Sequence, residues 1–539
     1  MKIARQISTL LSALFLVSAS GCTCKKNDTS SVKPKKGPRQ EIRINIVSEP
    51  GSLDPRKAAS LEEVNLARMF MEGLMRVTPN GNATNALAET VTLSKDLRTY
   101  TVKLKESYWS NGDPLTAHDF VYAWKKTLSS DFPAGSAFLL YAVKNSKLVK
   151  EGHLPNSLLG VRANDDHTLV IDLEAPTPFF LELLSLPAFF PVNERVDRKT
   201  PDWSRKAETF VSNGPFMPSE WRHNGSIVAV KNPLYWDKNA VHLNKIEMLM
   251  VDSETGFKLF QGKELDWEGS PYSTLPLDAL ASLQESNQIK SDPMLGTYWI
   301  RTNTALFPFH SPQIRKALAL AIDREALVEH VVTNSHIPAT GIVPASLGLQ
   351  TAPYFKDGDA SSASALLKCA LESEGLSVES LPEITLTYAA DTRNHRIAQA
   401  IQDQWNTTLD IHIQLEPLEA KTYFDRIAKG DYQLACGSWI ADFADPINFL
   451  EVFKARNVSA NKTNWESLDY QKALEFSYVA TNKEERKECL RKSEEILMEE
   501  MPVIPIFHMT MLHTQNDHLK DVVLTNSAHI DFKWAYLAE

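Results

Sequence analysis

Between Tyr432 and Ile447 the chain passes from an apolar run, Tyr432-Gln433-Leu434-Ala435, through Gly437-Ser438-Trp439-Ile440-Ala441-Asp442-Phe443-Ala444-Asp445-Pro446, into a helix from about Ile447. A buried-type strand that gives way to an irregular, proline-closed segment and then to a helix is the pattern of an α/β protein. The irregular segment carries two carboxylates among apolar and aromatic neighbours. Open α/β sheets place ligands just beyond strand ends, which is where this pattern puts Asp442. A carboxylate enclosed there must find a cation or a set of donors, because an unpaired buried charge is costly. Taken alone, the segment fits a helix cap, an internal salt bridge or a counter-charge for a bound cation.

At 539 residues the chain is too long for one hydrophobic core, which predicts two or three domains. An apolar fraction of 43% belongs to a folded protein, and a formal charge of −10 supplies no basic field for nucleic acid. There is no G-x-S-x-G elbow, no H-E-x-x-H pair and no phosphate-cradling glycine run, so the chain is not expected to be an enzyme.

The N-terminus reads as an address. Lys2 and Arg5 precede an apolar run from Ile7 to Val17, shorter than the roughly 20 residues a membrane-spanning helix needs. Residues 1–21 are therefore predicted to be a signal peptide. Ser18-Ala19-Ser20-Gly21-Cys22 resembles the lipobox at which bacterial lipoproteins are cut and diacylated at cysteine, with plain cleavage as the alternative. Residues 22–39 are polar and basic with two prolines, a composition that forms no core and serves as a tether. The other cysteines, Cys24, Cys369, Cys436 and Cys489, form no C-x-x-C pair, so neither a disulfide framework nor a zinc site is indicated.

Along the rest of the chain, strand and helix patterns alternate. Glu41 to Val47 alternates as a half-buried strand, Asp54-Pro55 is a turn, and a helix is predicted from about Leu61 to Leu74. Trp109-Ser110-Asn111-Gly112-Asp113-Pro114-Leu115-Thr116-Ala117-His118-Asp119-Phe120 contains a turn, then a Thr116 cap with Asp119 as capping-box partner. Ser212-Asn213-Gly214-Pro215-Phe216 and Asn232-Pro233-Leu234-Tyr235-Trp236 follow. Pro312 opens a helix through Arg315-Lys316-Ala317-Leu318-Ala319-Leu320-Ala321-Ile322-Asp323-Arg324. Helices near 363–371, 394–409 and 483–500 alternate with strands near 384–388, 411–415 and 503–507.

Together these motifs, in unbroken order over roughly residues 42–536, resemble the bacterial extracytoplasmic oligopeptide- and dipeptide-binding proteins of ABC importers. The resemblance implies an α/β, two-lobed periplasmic-binding-protein fold of the large peptide-binding class, with an inserted subdomain. The implied boundaries are a first lobe from 40–70, 200–295 and 506–539, an insert at 71–199 and a second lobe at 296–505. It further implies a monomer held in the periplasm by an N-terminal lipid. Short peptides would be captured and passed to a permease in the inner membrane, without chemistry and without a cofactor. Asp442 matches the aspartate that pairs with the peptide's α-ammonium. The backbone of Trp439, Ile440 and Ala441 on one side, and of Ala59, Ser60 and Leu61 on the other, would meet an extended ligand. The Trp109–Phe120 motif is implied to be structural.

The chain departs from the oligopeptide binders where the ligand carboxylate would be met. Leu306, Ile427 and Cys436 stand at positions that carry basic residues there. Arg393 and Arg396 lie where dipeptide binders keep a carboxylate-binding arginine, and surface charge at a helix start is the alternative. A muropeptide with unusual carboxylates would suit an inward arginine. Relatives of this fold also carry nickel complexes or haem, and His508, Met509, Met511, His513 and His518 offer suitable donors. On a strand, however, His508 and His513 point to opposite faces, so a shared metal site needs a bend; no metal is assigned.

Overall fold

The structure, a computed structural model, describes residues 39–58, 60–78, 82–332, 336–458, 460–480 and 482–539. The signal peptide, nearly all of the tether with Cys22, and Ala59 lie outside the described residues.

The first strand, Glu41–Asn45, buries Ile42 and Ile44 and pairs in parallel with Lys245–Leu249. It stops two residues short of the predicted end because Asn45 Oδ1 accepts the Val47 amide at 3.0 Å and Val47 turns left-handed at φ 60°. The following helix, Leu61–Phe70, is opened by a Ser60–Glu63 capping box. It ends before the predicted Leu74 because Met71 is extended and Gly73 lies against Phe190. A β-carbon on Gly73 would sit 2.6 Å from that ring, so the chain must pass there without a side chain.

The strands assort about one sheet of eleven among the described residues. Its order runs Ile413–Leu418, Ile384–Ala389, Leu434–Ile440, Lys290–Thr302, Val503–Gln515, Trp267–Gly269, Glu41–Asn45, Lys245–Leu249, Ser226–Lys231 and Phe216–Arg222, with Ile337–Pro338 added alongside Val503–Gln515. At its centre lie two antiparallel strands of 13 residues each, Lys290–Thr302 and Val503–Gln515. Strands from the early part of the chain flank them on one side and strands from residues 384–440 on the other. The pair carries register shifts between Pro293 and Thr297 and between Tyr298 and Trp299. Pattern reading recovers only part of each long strand. Pro293 and the polar His508 and Thr510 interrupt the apolar pattern, and the pairing partner supplies what local preference does not.

A separate antiparallel sheet of Ala88–Leu93, Thr99–Leu104, Thr168–Asp172 and Val161–Asp165 packs with the helix Ala117–Thr127. There Asp113 accepts from Asn193 Nδ2 at 3.2 Å and Arg195 Nη1 at 2.9 Å, and Trp109 is fully buried, so the motif between Trp109 and Phe120 ties elements together. Asn482 caps the helix Lys483–Glu500, which stops where Met501 turns left-handed ahead of Pro502.

Candidate functional site

The site is built at the end of the strand Leu434–Ile440. One edge of this strand pairs along its whole length with Lys290–Thr302, from Thr302 opposite Leu434 to Gly296 opposite Ile440. The other edge meets Ile384–Ala389 only at Leu434 and Ala435. From Cys436 to Ile440 that edge has no strand partner among the described residues; the Cys436 carbonyl accepts the Tyr423 hydroxyl, and the segment from Gly437 to Ile440 is open to an added strand.

The two carboxylates beyond the strand have different fates. Asp445 is neutralised by Arg486, whose Nη1 and Nη2 reach its oxygens at 2.9 and 2.8 Å, and it also accepts the Ile447 amide at 2.9 Å. The salt bridge that the sequence left open belongs to Asp445, and the helix Ile447–Leu450 starts at Pro446 without a side-chain cap. Asp442 is half-buried and has no lysine or arginine partner among the described residues. Burial raises its carboxyl above the ordinary range, and a hydrogen bond with Asn448 partly opposes that rise. Asn448 also accepts Trp439 Nε1 at 2.8 Å, so one carboxamide steadies both the aromatic ring and the carboxylate.

Asp442 lines a cavity of about 310 Å³ together with Phe443, Leu295, Asn526, His529 and Glu182. Glu182 is raised chiefly by burial, and with Asp442 it gives the cavity a second carboxylate without an ion pair among the described residues. His529 is fully buried and held well below its usual pKa, first by desolvation and then by Arg68, so it brings no positive charge. Two acids and a neutral imidazole make a site for a cation with several hydrogen-bond donors, such as an ammonium. The lining residue Phe443 is stacked by Phe179, with centroids 5.0 Å apart and planes at 10°, and Arg486 lies 5.9 Å from the Phe179 ring centroid. Glu182 and Phe179 were not singled out from sequence, because they lie more than 250 positions from Asp442 and no local motif marks them.

The remaining candidates are placed as follows. Ser60 is exposed and caps its helix, Leu61 opens that helix, and neither lines the Asp442 cavity. Arg393 and Arg396 are exposed in the first turns of the helix Thr392–Leu409, and the structure does not bring them to that cavity. Leu306 is exposed, while Ile427 and Cys436 are buried. His508 is buried against Thr297 Oγ1 at 2.9 Å, and His513 stacks on Trp267 at 4.1 Å. Among the described residues no three His, Cys, Asp or Glu side chains are grouped to hold a metal ion.

The family profile described as "Bacterial extracellular solute-binding proteins, family 5 Middle" matches residues 82–461. The chain belongs to that family. Among curated relatives, this family 5 chain is 38% identical to the oligopeptide-binding protein OppA of Bacillus subtilis, over 98% of each chain. It is 34% identical to the dipeptide-binding protein DppE of the same organism, over 96% of each. Among solved structures it superposes on the murein tripeptide-binding protein MppA of Escherichia coli with a TM-score of 0.80 and 28% identity, covering 93% of this chain and 99% of that one. The Haemophilus influenzae OppA complex with RPPGFSPFR matches with a TM-score of 0.78 and 29% identity, over 93% and 99%. The mixed α/β, two-lobed fold expected from sequence is therefore the fold of this family 5 protein.

Proposed function

We propose that this protein is the extracytoplasmic capture component of an ABC peptide importer, taking short peptides into the cleft between its lobes and delivering them to a membrane permease. The observation that carries the reading is an enclosed carboxylate without a cation, Asp442, at the end of a strand whose outer edge is unpaired. The peptide's α-ammonium supplies the missing charge, and its backbone adds to the edge between Gly437 and Ile440, so affinity does not depend on side chains. Relatives named for binding oligopeptides and dipeptides support the same ligand class.

The lobes in this reading are residues 40–70, 200–295 and 506–539 on one side and 296–505 on the other, with 71–199 inserted. The two central strands cross between them, and their register shifts near Pro293 and Tyr298 are where closure bends the sheet. Phe179 from the insert, stacked on Phe443, closes the lid over the ammonium site. Lipidation of Cys22 and the tether after it hold the protein at the outer face of the membrane.

Native mass spectrometry of the purified protein, followed by calorimetry with a mixed peptide library, tests the reading. The expected result is a co-purified or titrated peptide at one site. A protein that binds no peptide in the library overturns it.

A further inference from the structure

The same strand carries a second unmatched charge. Arg301 stands opposite Ala435 on the neighbouring strand, yet its guanidinium does not stay over its own strand. A β-carbon built on Gly437 would fall 1.7 Å from Arg301 Nη1 and 2.7 Å from its central carbon. The arginine therefore crosses Leu434–Ile440 through a notch that exists only because residue 437 is glycine, and the crossing brings it toward the unpaired edge.

The side chains it meets there are uncharged, and the carboxylate that acts on this group of residues, Asp391, forms no ion pair with it among the described residues. The Trp299 ring centroid is 5.7 Å from the guanidinium. Burial pushes the Tyr423 phenol up to about 12 while Arg301 draws it back, and burial likewise pushes the Cys436 thiol up to about 12 with Tyr298 and Arg301 opposing. Arg301 itself is half-buried and has no Asp or Glu partner among the described residues. An arginine led through a strand into such a place is short of an anion.

Alternation along a strand puts Gly437 and Trp439 on one face. Arg301, Trp439 and the Asn448 that steadies Asp442 thus follow one side of the open edge. From Gly437 to Asp442 is five positions, or about 16 Å at the rise of an extended chain. That is roughly the length of an extended tetra- or pentapeptide.

Resting on the peptide-capture reading above, we propose that Arg301 is a specificity-determining residue that binds a carboxylate of the ligand within about its first five residues, either the C-terminal carboxylate or an acidic side chain. It takes the part that Leu306, Ile427 and Cys436 cannot take. A bidentate guanidinium–carboxylate contact is geometrically selective as well as strong, so the site discriminates between acid and amide.

The test is calorimetry of the wild-type protein with three tetrapeptide series of otherwise neutral sequence: free acids, C-terminal amides, and C-terminal amides carrying one Glu in place of Gln at each position. Wild-type protein is expected to prefer at least one carboxylate-bearing series over the neutral amides by about tenfold or more. The series that shows the preference identifies which carboxylate is read. Arg301→Gln is expected to close the gap between charged and neutral peptides. Gly437→Ala, which leaves Arg301 in the chain but fills the notch, is expected to close it too. Equal wild-type affinity for all three series overturns the assignment while leaving peptide capture intact, as does a gap that survives Arg301→Gln. Wild-type protein that binds none of the peptides removes the capture reading and this one together.

Discussion

Replacing Asp442 by Asn separates what this residue does for the ligand from what it does to the empty protein. The two side chains are nearly the same size, so the change removes charge and little packing. In the complex, a charge-assisted bond to an ammonium contributes about 1.5–3 kcal/mol net, which corresponds to roughly 10- to 150-fold in affinity. Without ligand the sign is opposite. The folded-state pKa of Asp442 is raised by burial, so its ionised form opposes folding. The unfolded chain releases this proton at lower pH than the folded one, so the carboxylate lowers stability as pH rises from its unfolded pKa through its folded pKa. Asp442→Asn is therefore expected to melt higher than wild type at neutral pH in the absence of peptide, and at the same temperature near pH 3. Scanning calorimetry of ligand-stripped protein reads the first effect and titration calorimetry with a short peptide reads the second. A variant that melts lower and binds peptide as wild type does would refute both halves of the reasoning.

Three further outcomes follow from the same structure. Phe179→Ala removes a stacked pair worth about 0.5–1.5 kcal/mol beyond its buried area, and is expected to weaken peptide binding several-fold with the fold retained; circular dichroism with titration calorimetry checks it, and unchanged affinity excludes the ring as part of the lid. Burial lifts Glu494 to about 7, against hydrogen bonds from the Val343 amide and Tyr354, so its contribution to stability falls as pH rises from about 4.5 to about 7. Melting temperature is expected to decline over that window, and Glu494→Gln is expected to flatten the decline; an unchanged slope rejects the assignment. Cys22→Ser is expected to shift the protein from the membrane fraction to the soluble fraction and to remove the diacyl mass from its N-terminal peptide, both read by fractionation with mass spectrometry.

Sequence by itself determined the elements whose physics is local. Lys483–Glu500 is legible because an asparagine cap, helix-favouring residues and a following proline act within a few positions. The motif around Thr116 is legible for the same reason: the amide of Thr116 donates to Asp119 Oδ2 at 2.9 Å, three residues away. Asp442 was visible as a carboxylate at a strand end, but not which of two acids was uncompensated. That depended on Arg486, 41 positions from Asp445, arriving to pair with one and not the other. The full length of the two central strands was likewise decided by pairing between residues about 200 positions apart. Glu182 reaches the cavity, and Phe179 its lining residue Phe443, from more than 250 positions away, and Arg301 crosses a strand through a missing side chain. Charge compensation and access are set by which groups are absent nearby as much as by which are present, and only the packed chain determines those distances.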